Sequence, residues 1–323
     1  MAAIVTAGLS KTYAGHGRPW HRSGEVRALH DLHIEVQEAE IFGFLGPNGA
    51  GKSTAIRLLL GFLHPTSGGA TVLGRDITTQ SEEIRRRTGY LPGGIALYDG
   101  MTGDEQLRYL SALDDQPAPL RAELIEHMEL SSRDLKRQIR DYSRGMRQKI
   151  GIVQAFQHDP ELAILDEPTE GLDPLMQRSF YEMLEDRRAA GRTIFLSSHI
   201  LSEVERICDR VAIVRRGQLV ALNDVGELLR RHRRHVEIHL DGQVPDLARV
   251  PGISEVTVHE GVLTCQLEGD PSALVAALQG IALSDLLIEP ARLEEAFMEY
   301  YASDVRDTDA SDTAPSTDEP AVP

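Results

Sequence analysis

Nine consecutive residues, Gly46-Pro47-Asn48-Gly49-Ala50-Gly51-Lys52-Ser53-Thr54, have the types and order needed to hold a polyphosphate. Glycines let the backbone curl until successive N–H groups point at phosphate oxygens, and a helix that begins there adds partial positive charge. In that arrangement Lys52 reaches the β- and γ-phosphates, Ser53 places a hydroxyl on Mg²⁺, and Thr54 bonds the α-phosphate region. A second cluster, Leu162-Ala163-Ile164-Leu165-Asp166-Glu167, is an apolar run that ends in two carboxylates. Neighbouring strand residues point to opposite faces, so the two acids can divide the work. Asp166 suits the Mg²⁺ shell, directly or through water, and Glu167 suits polarising an attacking water. A third segment, Tyr142-Ser143-Arg144-Gly145-Met146-Arg147-Gln148, opens with a good N-cap, and its glycine permits close backbone approach. That helix start is a second place where an anion can bind.

Positioning these groups requires a particular run of elements. Residues 41–45 form a short apolar strand feeding the glycine-rich turn, and an apolar helix follows over about 52–63, stopped by Pro65. Residues 3–9 and 26–36 alternate apolar and polar side chains as half-buried strands do, and the polar stretch 15–24, with the lone Trp20, reads as a loop. Residues 96–158 are mainly helical, and the helix after Ser143 ends before Pro160. Strand-length apolar runs at 162–165 and 193–197 flank a helix over about 174–190 that Gly191 terminates. Residues 211–214 and 219–222 make a hairpin across Arg216 and Gly217. Alternating strands and helices imply an α/β domain with a largely parallel sheet and helices on both faces.

A basic cluster, Arg230, Arg231, Arg233 and Arg234 with His232 and His235, marks a change in composition, and the boundary is placed there. The expected first domain is 1–229. Residues 230–302 read as a small α+β domain, with strands at 236–240, 253–258, 262–267 and 286–288 and helices over 271–279 and 291–301. Residues 303–323 hold almost no large apolar side chains and are expected to form a disordered acidic tail.

Composition narrows the partners. With 34 basic and 50 acidic residues the formal charge is −16, so the whole-molecule field repels nucleic acid, and no nucleic-acid partner is expected. Cys208 and Cys265 belong to no CxxC pair and fit buried thiols in a reducing compartment. No window approaches the ~18 to 20 apolar residues needed to span a bilayer, and no basic-then-apolar leader opens the chain. Any membrane segments are expected from another chain.

With these motifs in this order, the chain resembles the nucleotide-binding subunits of ABC transporters over about residues 3–225. The resemblance implies a P-loop NTPase fold of the ABC ATPase type, with antiparallel β and helical subdomains, the helical one at about 96–158. It implies ATP bound through Gly46 to Thr54, with Mg²⁺ on Ser53 and Asp166, and catalysis by Lys52, Glu167 and His199. Segment 142–148 is similar to the family's signature motif at Ser143 and Gly145 and departs from it at Arg144 and Met146. In the family this helix start meets the γ-phosphate bound to the opposite subunit, which implies a head-to-tail dimer of two copies with ATP sandwiched between them. Glu170-Gly171-Leu172-Asp173 resembles the loop that crosses that interface, where Asp173 links the two sites. Ser198-His199 resembles the switch histidine, which contacts the γ-phosphate and helps hold the attacking water. Tyr13 matches the aromatic residue that stacks on adenine.

One departure concerns the metal. After Gly89-Tyr90-Leu91-Pro92 the family pattern usually has a glutamine that touches the metal shell and relays nucleotide state to the membrane partner; this chain has Gly93 and Gly94. Either water and backbone groups complete the shell or an acid such as Asp99 substitutes; two glycines leave room for water, which Mg²⁺ usually retains.

Arg234 to Leu240, Pro251-Gly252-Ile253 and Glu289-Pro290-Ala291-Arg292-Leu293-Glu294-Glu295-Ala296-Phe297 resemble the C-terminal extension of antibiotic-efflux ATPases of the daunorubicin-resistance type. Leu293, Ala296 and Phe297 have helical spacing and pack either on their own sheet or on a second subunit. The basic cluster is either a solvated helix face or a contact for anionic headgroups. Together these features point to the motor subunit of a bacterial exporter, bound to separate integral membrane permease subunits at the cytoplasmic face of the cell membrane. Two other readings stay open: an ABC ATPase acting on ribosomes or DNA, and a nucleotide-dependent clamp with little turnover.

Overall fold

The computed structural model describes residues 1–14, 25–113, 117–231, 234–240, 244–259 and 261–289. The expected loop at 15–24 with Trp20, His232 and Arg233 of the basic cluster, the helix over 291–301 with Leu293, Ala296 and Phe297, and the tail at 303–323 lie outside them, as do the side chains of Arg230 and Arg231. The chain divides into two compact units between Val225 and Gly226.

The first unit opens with β1 (Ala2–Tyr13), β2 (Val26–Leu32), β3 (Glu35–Gln37) and β4 (Ile41–Leu45), followed by α1 (Lys52–Leu59). Next come β5 (Ser67–Val72), β6 (Arg75–Asp76), α2 (Ser81–Arg86) and β7 (Thr88–Leu91), then α3 (Gly103–Leu113), α4 (Arg121–His127), α5 (Ser132–Leu135) and α6 (Arg144–Phe156). It closes with β8 (Leu162–Asp166), α7 (Pro174–Ala189), β9 (Thr193–Ser198), α8 (Leu201–Ile207), β10 (Arg210–Arg215) and β11 (Gln218–Asp224). One sheet is antiparallel in the order β2-β1-β5-β6, with β3 also paired to β1. The other runs β11-β10-β4-β9-β8-β7. Its strands from β10 to β7 are parallel, and β11 adds an antiparallel edge. β4, β8 and β9 are buried along their whole length, as strands covered on both faces must be. One core joins the elements around α1: Phe42, Phe44 and Phe195 pack with Ile56, Leu59, Ile4 and Leu29.

Two local expectations need correction, and one segment carries elements that the sequence pattern does not indicate. The helix expected over 52–63 stops at Leu59: Gly61 takes a left-handed φ of 67°, its N–H donates to Leu58 O at 3.0 Å, and Phe62 N–H donates to Arg57 O at 2.8 Å. Those two bonds make a Schellman stop, so Gly61 rather than Pro65 ends the helix. The strand expected at 26–36 is broken between Leu32 and Glu35 into β2 and β3, and both pair with a β1 that runs four residues past the expected end at residue 9. Residues 67–91, not assigned from sequence, supply β5, β6, α2 and β7.

The second unit holds β12 (Arg234–Leu240), β13 (Ile253–His259), β14 (Val262–Leu267), α10 (Ser272–Ala277) and β15 (Leu283–Glu289), after α9 (Val225–Arg231), which begins at the division between the units. Its antiparallel sheet has the order β13-β14-β12-β15, and Val236, Ile238, Leu263, Cys265, Leu267 and Leu274 form its core.

Candidate functional site

The glycine-rich loop lies between β4 and α1, at the ends of the parallel strands, where ligands of open α/β sheets bind. Two of its glycines are sterically required. A Cβ on Gly46 would stand 2.3 Å from Val214 O; one on Gly51, whose φ is 104°, would stand 2.3 Å from Ala28 O. Lys52, 5% exposed, donates from Nζ to Gly46 O at 2.7 Å, and that nitrogen lies 3.4 Å from Glu167 Oε1. Pro47, Asn48, Gly49, Gly51, Lys52, Ser53 and Thr54 line a cavity of about 310 Å³ together with Glu167. Ala50 is buried beneath it, and Gly46 backs the loop.

β8 ends at Asp166, and Glu167 follows it on a left-handed backbone, so strand alternation does not extend to the second acid. Asp166, 7% exposed, accepts from Ser53 Oγ at 2.8 Å on Oδ2 and from Ser197 Oγ at 2.5 Å on Oδ1. Glu167 has a left-handed backbone, φ 51°, with its N–H donating to Ser197 O at 3.1 Å. Its Oε2 lies 3.2 Å from His199 Nδ1, so the carboxylate stands between the Lys52 ammonium and the imidazole. Ser53 Oγ and Asp166 Oδ2 are hard oxygen donors held side by side, which suits a small divalent cation. Among the described residues no cluster of three or more His, Cys, Asp or Glu stands in position to ligate a metal.

A second cavity of about 340 Å³ is lined by Ser53, Arg57, Tyr90, Gly93, Asp166 and Glu167. A Cβ at Gly93 would lie 3.4 Å from Asp166 Oδ2, so a side chain there would begin against the carboxylate. Burial, then the Asp166 charge, push the Tyr90 phenol above its ordinary range. Asp99 is not among the described residues lining this cavity and instead pairs with Arg147 at 2.8 Å, which favours water over Asp99 in the shell.

Other candidate residues lie apart from both cavities. Ser143 is the N-cap of α6, its Oγ accepting from Met146 N at 3.2 Å. A Cβ on Gly145 would sit 2.7 Å from Gly171 O, and Arg144 forms an ion pair with Glu170, so the start of α6 is fastened to the loop after β8. Gln148 Nε2 reinforces this by donating to Pro168 O at 2.5 Å. Asp173 caps α7, accepting from Leu175 N at 3.1 Å and Met176 N at 3.0 Å. Tyr13, at the end of β1, is 37% exposed with the Lys11 ammonium 5.5 Å from its ring centroid, and is not among the described residues lining the phosphate-loop cavity. Its strand partner Val26 is.

Sequence reasoning missed several residues. Val26, Arg27, Ala28 and Arg216 line the phosphate-loop cavity, brought there by strand pairing and a hairpin tip that no local pattern ties to the loop. Ser197 looked like an ordinary strand residue. Glu203, 5% exposed, bonds through one oxygen to Thr169 Oγ1 and accepts from Ser198 Oγ at 2.6 Å through the other, joining the loop after Glu167 to the residue before His199. Burial, followed by that carboxylate, raises the Tyr181 phenol well above its usual value.

Comparison with known proteins places this geometry among relatives. The family model described as "ABC transporter" matches residues 29–170. The Nod factor export ATP-binding protein I of Cupriavidus metallidurans is 34% identical over 88% of this chain and 95% of its own length. The bacitracin transport ATP-binding protein of Bacillus licheniformis is 36% identical over 74% of this chain and 76% of its own. A solved structure of an ATP-binding subunit of an ABC transporter superposes with a TM-score of 0.62 at 31% identity, over 71% of this chain and 92% of that one.

Proposed function

Because this chain belongs to the ATP-binding proteins of the ABC transporter family, we propose that it is the ATP-hydrolysing motor subunit of an exporter whose permease is a separate membrane chain. The observation that carries the reading is Glu167, which lines the phosphate-loop cavity, held between Lys52 Nζ and His199 Nδ1. Loop amides and the N-terminus of α1 receive the phosphate oxygens of ATP, and Lys52 meets the terminal phosphates. Glu167 orients the attacking water and draws on its proton, and His199 holds the terminal phosphate end in register. Ser53 and Asp166 would hold Mg²⁺, which when bound would supply Lewis-acid neutralisation of phosphate charge.

Ser143, Gly145 and Asp173 lie outside the cavity of their own chain, which supports a second copy placing them across a bound nucleotide, head to tail. ATP contacts both copies only when they close, so it favours closure by its difference in affinity for the two states. Among the described residues no helix is long and apolar enough to cross a membrane, in keeping with a peripheral subunit at the cytoplasmic face. The name of the Nod factor export relative supports export as the direction of transport.

The test is ATP turnover by Glu167→Gln. Loss of a general base costs about 10²–10⁴-fold, so phosphate release should fall at least about a hundredfold while ATP still binds. Equal turnover in the two proteins would remove Glu167 from this role.

A further inference from the structure

Glu167 and His199 each stand one residue beyond a strand, since β8 ends at Asp166 and β9 at Ser198. The ladder between those strands stops at the Asp166–Ser197 pair, where Ser197 Oγ donates to Asp166 and Ser197 O accepts from Glu167 N–H. Past that point the sheet no longer holds the two segments in register, and the separation of Glu167 from His199 depends on another tie.

The tie is a buried acid. Glu203, in the first turn of α8, is 5% exposed and bonded through both oxygens: Oε1 accepts from Thr169 Oγ1, and Oε2 accepts from Ser198 Oγ at 2.6 Å. Thr169 follows Glu167 by two residues, in a loop closed by Glu170 N–H donating to Glu167 O and Leu172 N–H donating to Thr169 O. Ser198 Oγ also accepts from Ile200 N–H at 2.9 Å, closing a short turn with His199 at its centre. The carboxylate thus grips one turn on each side of the contact in which Glu167 Oε2 and His199 Nδ1 stand 3.2 Å apart.

Stability alone does not call for this arrangement. The neighbours of the carboxylate are hydroxyls, those of Thr169 and Ser198 and the phenol of Tyr181, and taking a charged group out of water is costly. What a carboxylate offers here is acceptance on two oxygens at once, whereas an amide accepts on one side and donates on the other. Glu203, Thr169 and Ser198 are not among the described residues lining the phosphate-loop cavity, so an effect on the reaction passes through Glu167 and His199.

We propose that Glu203 is a positioning residue for hydrolysis: through Thr169 and Ser198 it joins the segment that carries Glu167 to the segment that carries His199 and sets the distance between them. This assignment rests on the roles given to Glu167 and His199 above and deepens them.

The test is kcat and KM for Mg-ATP in full-length Glu203→Ala, Thr169→Val, Thr169→Ser, His199→Ala and the Glu203→Ala/His199→Ala double variant. A misplacement of about 1 Å can cost about a hundredfold, so Glu203→Ala and Thr169→Val should each lower kcat about tenfold or more. KM should change less than about twofold, because the phosphate loop is untouched. Thr169→Val removes the hydroxyl at nearly constant shape, and Thr169→Ser, which keeps it, should retain most of the turnover. In the His199→Ala background, with no imidazole left to place, Glu203→Ala should cost less than about twofold. A structural role alone would multiply turnover by the same factor in both backgrounds, and that result would overturn the proposal. So would an unchanged kcat in Thr169→Val, or a loss in Thr169→Ser as large as that in Thr169→Val. Undiminished turnover in His199→Ala alone would strike the role of the histidine itself, and the proposal with it.

Discussion

At the residue scale, the chemistry turns on how each oxygen around Asp166 and Glu167 is occupied. Ser53 and Ser197 bond the two oxygens of Asp166, and Lys52 and His199 flank those of Glu167, so each acid is oriented by its own pair. Gly93 stands against Asp166 without contributing a side chain. If water fills that part of the shell, Gly93→Gln should change basal ATP turnover less than tenfold, about 1.4 kcal/mol in barrier; steady-state phosphate release measures it, and a larger change would mean that the glycine is tuned to the metal. The loop and the two acids were legible in the sequence because their chemistry depends on contiguous residues. Arg216, Ser197 and Glu203 were not: Arg216 reaches the cavity on a hairpin tip, and Ser197 and Glu203 meet Asp166 and Thr169 across 31 and 34 residues, while the Ser198–Glu203 bond is local.

At the scale of elements, the parallel sheet holds the site by linking strand ends to loops. Regular runs such as β4, β8 and β9 announced themselves because they are continuous and apolar. Segment 67–91 went unassigned: Ser67-Gly68-Gly69 opens β5 with turn-forming residues, and Gly68 lies so close to Gly8 O that a Cβ would come within 2.0 Å. There tertiary contact overrides local propensity. The junction of β7 with β8 offers a pH test. Arg87 donates to Glu161 from two nitrogens, and that bonding holds the Glu161 carboxyl below its usual range against a smaller opposing effect of burial. A lowered folded-state value means that the stabilisation is present above the unfolded value near 4.5 and is lost as pH falls through the folded one. Glu161 is 44% exposed, so solvent screening limits the contribution to about 1 kcal/mol or less. Denaturant unfolding of Glu161→Gln should show that deficit at pH 7 and a smaller one below about pH 4.

At the scale of the whole molecule, the distribution of site residues predicts assembly. The α6 start with Ser143 and Gly145, and the α7 start with Asp173, are tied to the loop after β8 and do not line their own chain's phosphate-loop cavity. A slow-turnover Glu167→Gln protein should therefore be monomeric without nucleotide and dimeric with Mg-ATP in light scattering, and Ser143→Arg should prevent the shift. A monomer under both conditions would leave those helix starts without the partner proposed for them. The left-handed backbone at Glu167 bears on how such a machine can fail. A residue with a Cβ held there carries about 1 kcal/mol of strain that glycine would relieve. The fold thus leans toward a sturdier version of itself without the carboxylate proposed to act on water, and that loss can arise by drift without any defect in folding to expose it.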